Sequence, residues 1–170
     1  NFIYLTDIMY NPQIISKAGV ILASYFKSMD VDYVVTVETK GIPLAYEVAK
    51  SLGIELVIIR RENKVTEGPT VSINYLSGTS GRIQQMSLAK KSMKSSSRCV
   101  FIDDFLRGGG TAQGITDLLK EFDSELVGTG VLVDNIGVVN KRVTDYVSII
   151  DIEYISEDGK IKVTPSNLIK

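Results

Sequence analysis

Short apolar runs, rich in β-branched residues and separated by polar or mixed segments, dominate the hydrophobic pattern of this chain. Continuous runs of this kind are typical of strands that are buried on both faces of a parallel sheet. They predict strands over residues 33–37, 56–59, 99–102, 126–133 and 147–152. The segment 2–7 predicts a further short strand or an arm.

Helical periodicity fills most of the gaps between these runs. Pro12 stands where a helix would begin, and apolar residues follow it at helical spacing, namely Ile14, Ala18, Ile21, Leu22, Tyr25 and Phe26. Further helices are predicted over residues 44–52, ended by Gly53, and over residues 112–122. Because buried strands alternate with helices, we predict an α/β fold with a twisted, mainly parallel sheet and helices on both faces.

The stretch from residue 62 to residue 97 departs from this alternation. Residues 70–75 and 83–88 alternate polar and apolar side chains, which predicts a long hairpin with one solvated face. A hairpin inserted in a βαβ chain is often a mobile functional flap. The basic residues that follow it form either a basic bridge to the next strand or a solvated turn: Lys90, Lys91, Lys94 and Arg98.

Composition and charge exclude several classes of protein and site. Hydrophobic residues make up 44% and charged residues 23% of the 170 residues, which predicts one globular domain over residues 1–170. The net charge of −1 gives no electrostatic reason for nucleic acid to be the main partner of this piece. The absence of histidine from the sequence excludes His-based triads and His metal sites. A single cysteine and the lack of any membrane-length apolar run or signal peptide predict a cytoplasmic protein.

The stretch 99–111 carries the clearest chemistry. Its apolar run ends in Asp103 and Asp104, and three glycines and a threonine follow where a helix begins. Unpaired N–H groups at a helix start, with glycines that allow close approach, suit a phosphate. Adjacent carboxylates repel a phosphate but suit hydroxyl groups or a metal ion, so a sugar phosphate is the ligand that needs both features. The alternatives are an acidic pair that caps the turn and glycines that only form a flexible loop.

Residues 101–111 resemble the phosphoribosyl pyrophosphate (PRPP) motif of type I phosphoribosyltransferases. That motif is an apolar strand, two acidic residues, two apolar residues, a small residue and Thr-Gly-Gly-Thr. A loop after the first core strand and a long hairpin ahead of the motif come in the family's order. Four further segments resemble the purine operon repressors of Gram-positive bacteria, and this resemblance covers essentially the whole chain. The segments are residues 39–45, 63–68, 71–75 and 86–90.

This resemblance implies a repressor of purine biosynthesis genes whose phosphoribosyltransferase-like domain binds PRPP as its effector. It also implies a homodimer and a preceding winged-helix domain that contacts operator DNA. That domain is not in the sequence, so we expect a chain that begins at Asn1 to be a fragment of such a regulator.

The resemblance also implies roles for individual residues. Asp103 and Asp104 would bind the ribose 2- and 3-hydroxyls, directly or through Mg²⁺. Thr39, Lys40 and Gly41 match the family's pyrophosphate loop, although an ordinary solvent-exposed lysine in a βα turn is the alternative for Lys40.

The 5-phosphate loop would consist of Arg107, Gly108, Gly109, Gly110 and Thr111. Phe105 and Leu106 would contact the loop through their backbone while their side chains pack. Flap residues that could close over the ligand are Lys64, Tyr75, Ser77 and Gly78.

Two departures from the family bear on catalysis. Arg107 replaces a small residue and Gly108 replaces a threonine. Some purine-using relatives have an acidic general base at the position of Arg107, a role that a permanently protonated arginine cannot take. The loop 134–137 stands where relatives hold a nucleobase, and no lysine-plus-aromatic pattern is recognisable there. We therefore expect a PRPP-controlled regulator without catalytic residues, and a purine (xanthine-type) phosphoribosyltransferase is the alternative.

Overall fold

Helices and strands alternate along most of the computed structural model, which describes residues 5–61, 68–77, 81–155, 160–166 and 168–169. The α-helices of these residues are α1 (Thr6–Met9), α2 (Pro12–Phe26), α3 (Ile42–Leu52) and α4 (Gly110–Lys120). The strands are β1 (Tyr33–Val37), β2 (Glu55–Ile59), β3 (Thr70–Leu76), β4 (Ile83–Ala89), β5 (Arg98–Leu106), β6 (Glu125–Asn135), β7 (Tyr146–Ile155) and β8 (Ile161–Pro165). None of the helices described is long and apolar enough to cross a membrane.

Six strands form the main sheet in the order β2-β1-β5-β6-β7-β8. All neighbouring strands are parallel except β7 and β8, which are antiparallel. The chain leaves β1 towards β2 on one side and leaves β5 towards β6 on the other. The carboxyl ends of β1 and β5 therefore flank the point where the strand order reverses, which is where ligands bind in such sheets. The predicted fold class is confirmed.

Alternate residues of the central strands pack on opposite faces of this sheet. On one face, Val34, Val100 and Ile102 pack among buried residues of α2 and α3. On the other face, Val35 and Phe101 pack with α4 and with the β3–β4 hairpin. Because both faces are covered, β1 and the first part of β5 are continuous apolar runs rather than alternating ones.

Two helix ends follow the local sequence signals closely. The side-chain oxygen of Asn11 caps α2 by accepting hydrogen bonds from the amides of Gln13 (3.1 Å) and Ile14 (3.2 Å). Gly53 ends α3 with a φ of 73°, in the left-handed region that favours glycine. The helices predicted from Pro12 and before Gly53 are confirmed.

The predicted hairpin is present as the antiparallel pair β3–β4, and its inner face packs on α4. An ideal Cβ on Gly114 would stand 2.9 Å from both the Cε of Met86 and the Cβ of Tyr75. A bridge between Arg60 and Ser87 also joins the hairpin to the end of β2. The body of the hairpin is therefore part of the hydrophobic core on the face of the sheet that α4 covers.

Some predicted details differ from the structure. The strand or arm predicted for residues 2–7 is wrong where the structure describes it, because α1 begins at Thr6 and Asp7 lies favourably in its first turn. In α2, Ile14 and Tyr25 are exposed and do not belong to the buried face that the spacing predicted. Gly19 lies on the buried face instead, where its lack of a side chain lets α3 pack closely. The predicted turn at residues 158–159 lies outside the described residues.

Candidate functional site

The loop after β1 lies directly against the acidic end of β5. An ideal Cβ on Gly41 would stand 2.7 Å from the Oδ1 of Asp103, 2.8 Å from the Oγ1 of Thr36 and 3.1 Å from the Cα of Asp103. Only glycine leaves room for this approach. Thr39 and Lys40 precede Gly41 and are exposed, and the peptide bond between Glu38 and Thr39 is cis. The predicted pyrophosphate loop and the predicted ribose site are therefore neighbours.

The two adjacent carboxylates lie inside β5 and not at its end, because pairing with β6 continues as far as Leu106. Asp103 and Asp104 are both partly buried, and the amide of Asp104 donates a hydrogen bond of 2.9 Å to the Oδ1 of Asp103. Burial raises the pKa of the Asp103 carboxyl well above its ordinary value, and the negative charge of Asp104 raises it further. This site favours a ligand that supplies hydroxyl donors or a cation.

The glycine turn after β5 has the strand–turn–helix geometry on which the predicted phosphate cradle depends. Gly109 has a φ of 71° and precedes α4, whose first helical hydrogen bond runs from the amide of Gln113 to the carbonyl of Gly109 over 3.0 Å. The amides of Gly110, Thr111 and Ala112 lie before that bond, so none of them has a partner within the helix. These N–H groups are available to an anion.

A shallow cavity lies over this turn. Its lining combines the acidic strand end with the glycine turn: Phe101, Asp103, Phe105, Leu106, Arg107, Gly108, Gly109, Gly110, Thr111, Ala112 and Val131. The structure therefore gathers nearly all the residues predicted for the ribose and the 5-phosphate into one surface.

Phe105 and Leu106 are the last two residues of β5 and directly precede the glycine turn. They pair with Val133 and Asp134 of β6, and this pairing extends the strand beyond the acidic pair. Leu106 is buried and Phe105 packs partly against the α2–α3 core, so the predicted packing of their side chains is confirmed. The side chain of Arg107 is exposed at the start of the glycine turn.

The flap residues named from the sequence are not among those that line the cavity. Tyr75 is buried, and its hydroxyl donates a hydrogen bond of 2.9 Å to the Oε1 of Gln84. Ser77 is also buried, at the end of the hairpin. Lys64 and Gly78 lie outside the described residues. Flap closure over a ligand remains a prediction.

Arg61 is a site residue that the sequence analysis missed. Its Nε donates to the carbonyl of Glu38 over 2.9 Å, and its Nη1 donates to the Oε1 of Gln84 over 3.2 Å. Its positive charge also acts to lower the pKa of Asp103. Arg61 thus lies between the β1 loop, the hairpin and the acidic pair. A basic pair at the carboxyl end of β2, Arg60 and Arg61, was the available signal.

The segment after Val133 also differs from the predicted nucleobase loop. Asp134 and Asn135 belong to β6, because their pairing with β7 continues. Asp134 is 1% exposed, its Oδ1 contacts the Nζ of Lys141, and its Oδ2 accepts a hydrogen bond of 2.9 Å from the hydroxyl of Tyr146. Burial raises the pKa of that hydroxyl. A lysine and an aromatic ring do meet here, but the lysine charge is matched by a buried carboxylate.

The basic residues between β4 and β5 match the solvated-turn alternative. Lys90, Lys91 and Lys94 are exposed. Arg98 forms an ion pair with Glu125 and donates to backbone carbonyl groups that precede β1. These contacts lie at the amino end of β5, at the opposite edge of the sheet from the cradle.

The acidic pair offers two carboxylate groups as ligands for a metal ion. Among the described residues, no group of three or more Asp, Glu, Cys or His side chains is arranged to hold a metal ion. Two partly buried carboxylates do fit a Mg²⁺ ion that takes its other ligands from water and from ligand phosphates. Asp103 and Asp104 would hold such an ion.

Comparison with known proteins gives relatives of two kinds. The chain is 48% identical to the purine biosynthesis transcriptional repressor PurR of Bacillus subtilis, over 99% of this chain and 60% of that protein. It is 40% identical to the purine biosynthesis transcriptional activator PurR of Lactococcus lactis, over 91% of this chain and 57% of that protein. A xanthine phosphoribosyltransferase of Deinococcus deserti is 31% identical over 72% of this chain and 64% of its own length. The chain thus spans about three fifths of the length of the curated relatives it matches.

The fold itself also has solved counterparts. The structure of the adenine phosphoribosyltransferase of Giardia lamblia, complexed with 9-deazaadenine, aligns with a TM-score of 0.78 at 20% identity. The alignment covers 90% of this chain and 87% of that one. The sequence matches the description "phosphoribosyl transferase domain" over residues 5–166, which is nearly the whole chain. This chain belongs to the phosphoribosyl transferase domain family.

Proposed function

We propose that this chain is the effector-binding part of a transcriptional regulator of purine biosynthesis genes, with PRPP as its effector. The observation that carries the proposal is the pattern of relatives. A regulator is 48% identical over 99% of the chain, whereas a xanthine phosphoribosyltransferase is 31% identical over 72%. The proposed regulator acts in the cytoplasm. Its proposed action as a repressor is supported by the name of the Bacillus subtilis relative.

PRPP has three polar parts, and the site offers a matching group for each. The 5-phosphate would accept hydrogen bonds from the amides of Gly110, Thr111 and Ala112 at the start of α4. The ribose hydroxyls would donate to Asp103 and Asp104. The diphosphate would lie at the 39–41 loop.

Charge at the second anion site supports the diphosphate assignment. Lys40 is exposed on the β1 loop, and Arg61 is held against the same loop by its bond to the carbonyl of Glu38. Two cations beside this loop suit a strongly anionic diphosphate. A Mg²⁺ ion carried by PRPP would reduce the repulsion between that diphosphate and the acidic pair.

Binding without transfer is the second part of the proposal. Arg107 stands where some purine-using relatives have an acidic general base, and it cannot accept a proton at neutral pH. The carboxylate of Asp134 is engaged by Lys141 and Tyr146, so it is not free to act on a base. We therefore propose that the chain senses PRPP and does not consume it. A xanthine-type phosphoribosyltransferase is the alternative, favoured by the family and by the Deinococcus deserti relative.

DNA binding is assigned to the part of the protein that this chain does not contain. The regulators are longer than the matched region, which covers 60% of the Bacillus subtilis protein. The proposed regulator is a homodimer that contacts operator DNA through a winged-helix domain. PRPP would lower the affinity of the regulator for operator DNA, either by adding negative charge or by shifting the dimer between two arrangements.

Calorimetric titration of the chain with PRPP, with and without Mg²⁺, tests the effector. We expect binding by the wild type and none by the Asp103→Ala/Asp104→Ala variant, whose circular dichroism should stay unchanged. As a matched pair of surface carboxylates, Asp117→Ala/Glu121→Ala should bind PRPP normally. Equal PRPP affinity of all three proteins would refute the assignment of the acidic pair.

A second assay separates the sensor from the enzyme. PRPP is incubated with adenine, guanine, hypoxanthine or xanthine in turn, and released pyrophosphate is measured. We expect no release above the rate without protein. Turnover with any base would overturn the sensor and establish the transferase.

A further inference from the structure

We propose that Lys141 is a positioning residue for the phosphate cradle. It holds residues 141–143, here called the strap, against the glycine turn that receives the 5-phosphate. The inference rests on the proposed function only in taking the cradle as the site of that phosphate. Lys141 itself would not contact the ligand.

The first anchor of the strap is a buried ion pair at the end of β6. The Nζ of Lys141 contacts the Oδ1 of Asp134 and donates 2.9 Å to the hydroxyl of Tyr146. That hydroxyl donates 2.9 Å to the other oxygen of Asp134, and the Nζ lies 4.9 Å from the centre of the Tyr146 ring. The side chains of Lys141 and Asp134 are only 10% and 1% exposed. The three groups therefore satisfy one another in a place that water hardly reaches.

The second anchor is the glycine turn itself. The amide of Arg142 donates a hydrogen bond of 3.0 Å to the carbonyl of Gly108. An ideal Cβ on Gly109 would stand 2.7 Å from the Cγ1 and 2.9 Å from the amide nitrogen of Val143. The strap thus packs directly on the turn, and residues 141–143 are not among those that line the cavity. It leaves no room for a side chain at Gly109, which has a φ of 71°.

The pattern of exposure along this loop shows which side chains hold it. Residues 139, 140, 142, 144 and 145 are exposed, and Lys141 and Val143 are the ones turned inward. Val143 alone offers little apolar area to hold a loop of this length. A buried ion pair, in contrast, fixes position strongly, because either charge left unpaired there would be strongly destabilising. Lys141 is therefore the main side-chain anchor of the strap.

The hydrogen bond from Arg142 has a direct consequence for the cradle. A carbonyl oxygen that faced the cavity would repel a phosphate, and the strap engages the Gly108 carbonyl on its own side. The amides at the start of α4 are then the groups that remain for the ligand. Loss of the Lys141 anchor would free the glycine turn to move, so the amides at the start of α4 would no longer be held in one position. The expected consequence is weaker phosphate binding with no change at the pyrophosphate loop.

Two ligands that use different halves of the site test this proposal by calorimetry. In Lys141→Met, which preserves much of the side-chain volume, the Kd for ribose 5-phosphate should rise about tenfold or more. The Kd for inorganic pyrophosphate should change less than about twofold, because the 39–41 loop is not attached to the strap. Lys120→Met is the matched control, since Lys120 pairs with Asp117 on the exposed far end of α4, and neither Kd should change.

Hydrogen exchange at one amide provides a readout that needs no ligand. The amide of Arg142 should exchange about tenfold faster or more in Lys141→Met than in the wild type. Lys141→Met leaves the Asp134 carboxylate unpaired and could fail to fold. The variant Asp134→Leu/Lys141→Gly removes both the charge and the anchor, and the same two effects are expected from it.

Three results would overturn the inference. They are an unchanged Kd for ribose 5-phosphate, an equal loss for ribose 5-phosphate and pyrophosphate, and unchanged exchange at Arg142. A wild type that binds neither PRPP nor ribose 5-phosphate would instead overturn the proposed function. Exchange at Arg142 would then decide whether Lys141 holds the strap on the glycine turn.

Discussion

Gly41 lies so close to Asp103 that an ideal Cβ on the glycine would stand 2.7 Å from the carboxylate Oδ1 and 3.1 Å from the Cα. This contact joins the loop after β1 to β5, residues that are far apart in the sequence. It places a predicted diphosphate loop beside a predicted ribose site at the point where the strand order reverses. The close approach of these two residues gives the site its shape.

Gly41→Ala should separate the two halves of the site. The new methyl would meet the backbone of Asp103 as well as its carboxylate, so it cannot be accommodated by a side-chain rotation. We expect a loss of about 1–3 kcal/mol in the free energy of unfolding and a rise of about tenfold in the Kd for PRPP. Urea unfolding and calorimetric titration measure the two effects.

The control for this prediction is Gly53→Ala. An alanine methyl at Gly53 would meet no neighbour, because no heavy atom lies within 4 Å of the ideal Cβ. The φ of 73° at this position nevertheless disfavours alanine. We expect a loss of about 1 kcal/mol in stability and an unchanged Kd for PRPP. Unchanged PRPP affinity in Gly41→Ala as well would contradict the role assigned to the contact.

The pH dependence of stability should reveal the perturbed carboxyl of Asp103. Burial and the charge of Asp104 raise its folded-state pKa above the unfolded value, so the native state binds more protons than the unfolded state. Its contribution to the free energy of unfolding therefore falls as pH rises above about 4, by up to about 1.4 kcal/mol per pH unit. Subtracting the pH profile of Asp103→Asn from that of the wild type isolates this contribution.

Asp117→Asn provides a control of opposite sign. A hydrogen bond from Lys120 lowers the pKa of Asp117, so its stabilising contribution is present above its unfolded pKa and is lost as pH falls. The difference between wild type and Asp117→Asn should therefore rise with pH and stay small, because this pair is exposed. A wild-type minus Asp103→Asn difference that also rises with pH would be incompatible with the proposed environment of Asp103.

Gly114→Ala should weaken the packing of the hairpin on α4, although alanine is the better helix former. The ideal Cβ stands 2.9 Å from the Cβ of Tyr75, which a rotation of that side chain cannot move. We expect a net loss of about 1–3 kcal/mol in the free energy of unfolding by urea. The exposed Gln113→Ala on the same helix should change it by less than about 0.5 kcal/mol. A stabilised Gly114→Ala variant would show that the hairpin does not pack there in solution.

Cys99 should resist thiol reagents in the folded protein. The residue is fully buried in β5, and burial raises the pKa of its thiol from 9.0 to about 12, so the reactive thiolate is scarce at pH 8. Iodoacetamide labelling, followed by mass spectrometry, should proceed only as fast as the protein opens, and should become rapid in urea. Fast labelling without denaturant would contradict the buried position of this strand.

Local sequence determined the order and type of most elements and the residues of the cradle. β1 was predictable because a strand covered on both faces is a continuous apolar run, and α3 because Gly53 marks its end. The glycine turn was predictable from three consecutive glycines after a strand and before a helix. Each of these signals acts within a few residues, which is the range over which turn chemistry and periodicity operate.

Tertiary structure decided which residues meet. Neither the contact of Gly41 with Asp103 nor the position of Arg61 beside the acidic pair follows from any local pattern, because each joins segments that only the sheet order brings together. The extension of β5 through Leu106 depends on its pairing with β6. The pairing of Lys141 with Asp134, which holds the strap on the turn, requires the loop after β6 to fold back on the end of that strand. The sequence thus determined the groups that can bind a sugar phosphate, and long-range packing decided how they are held.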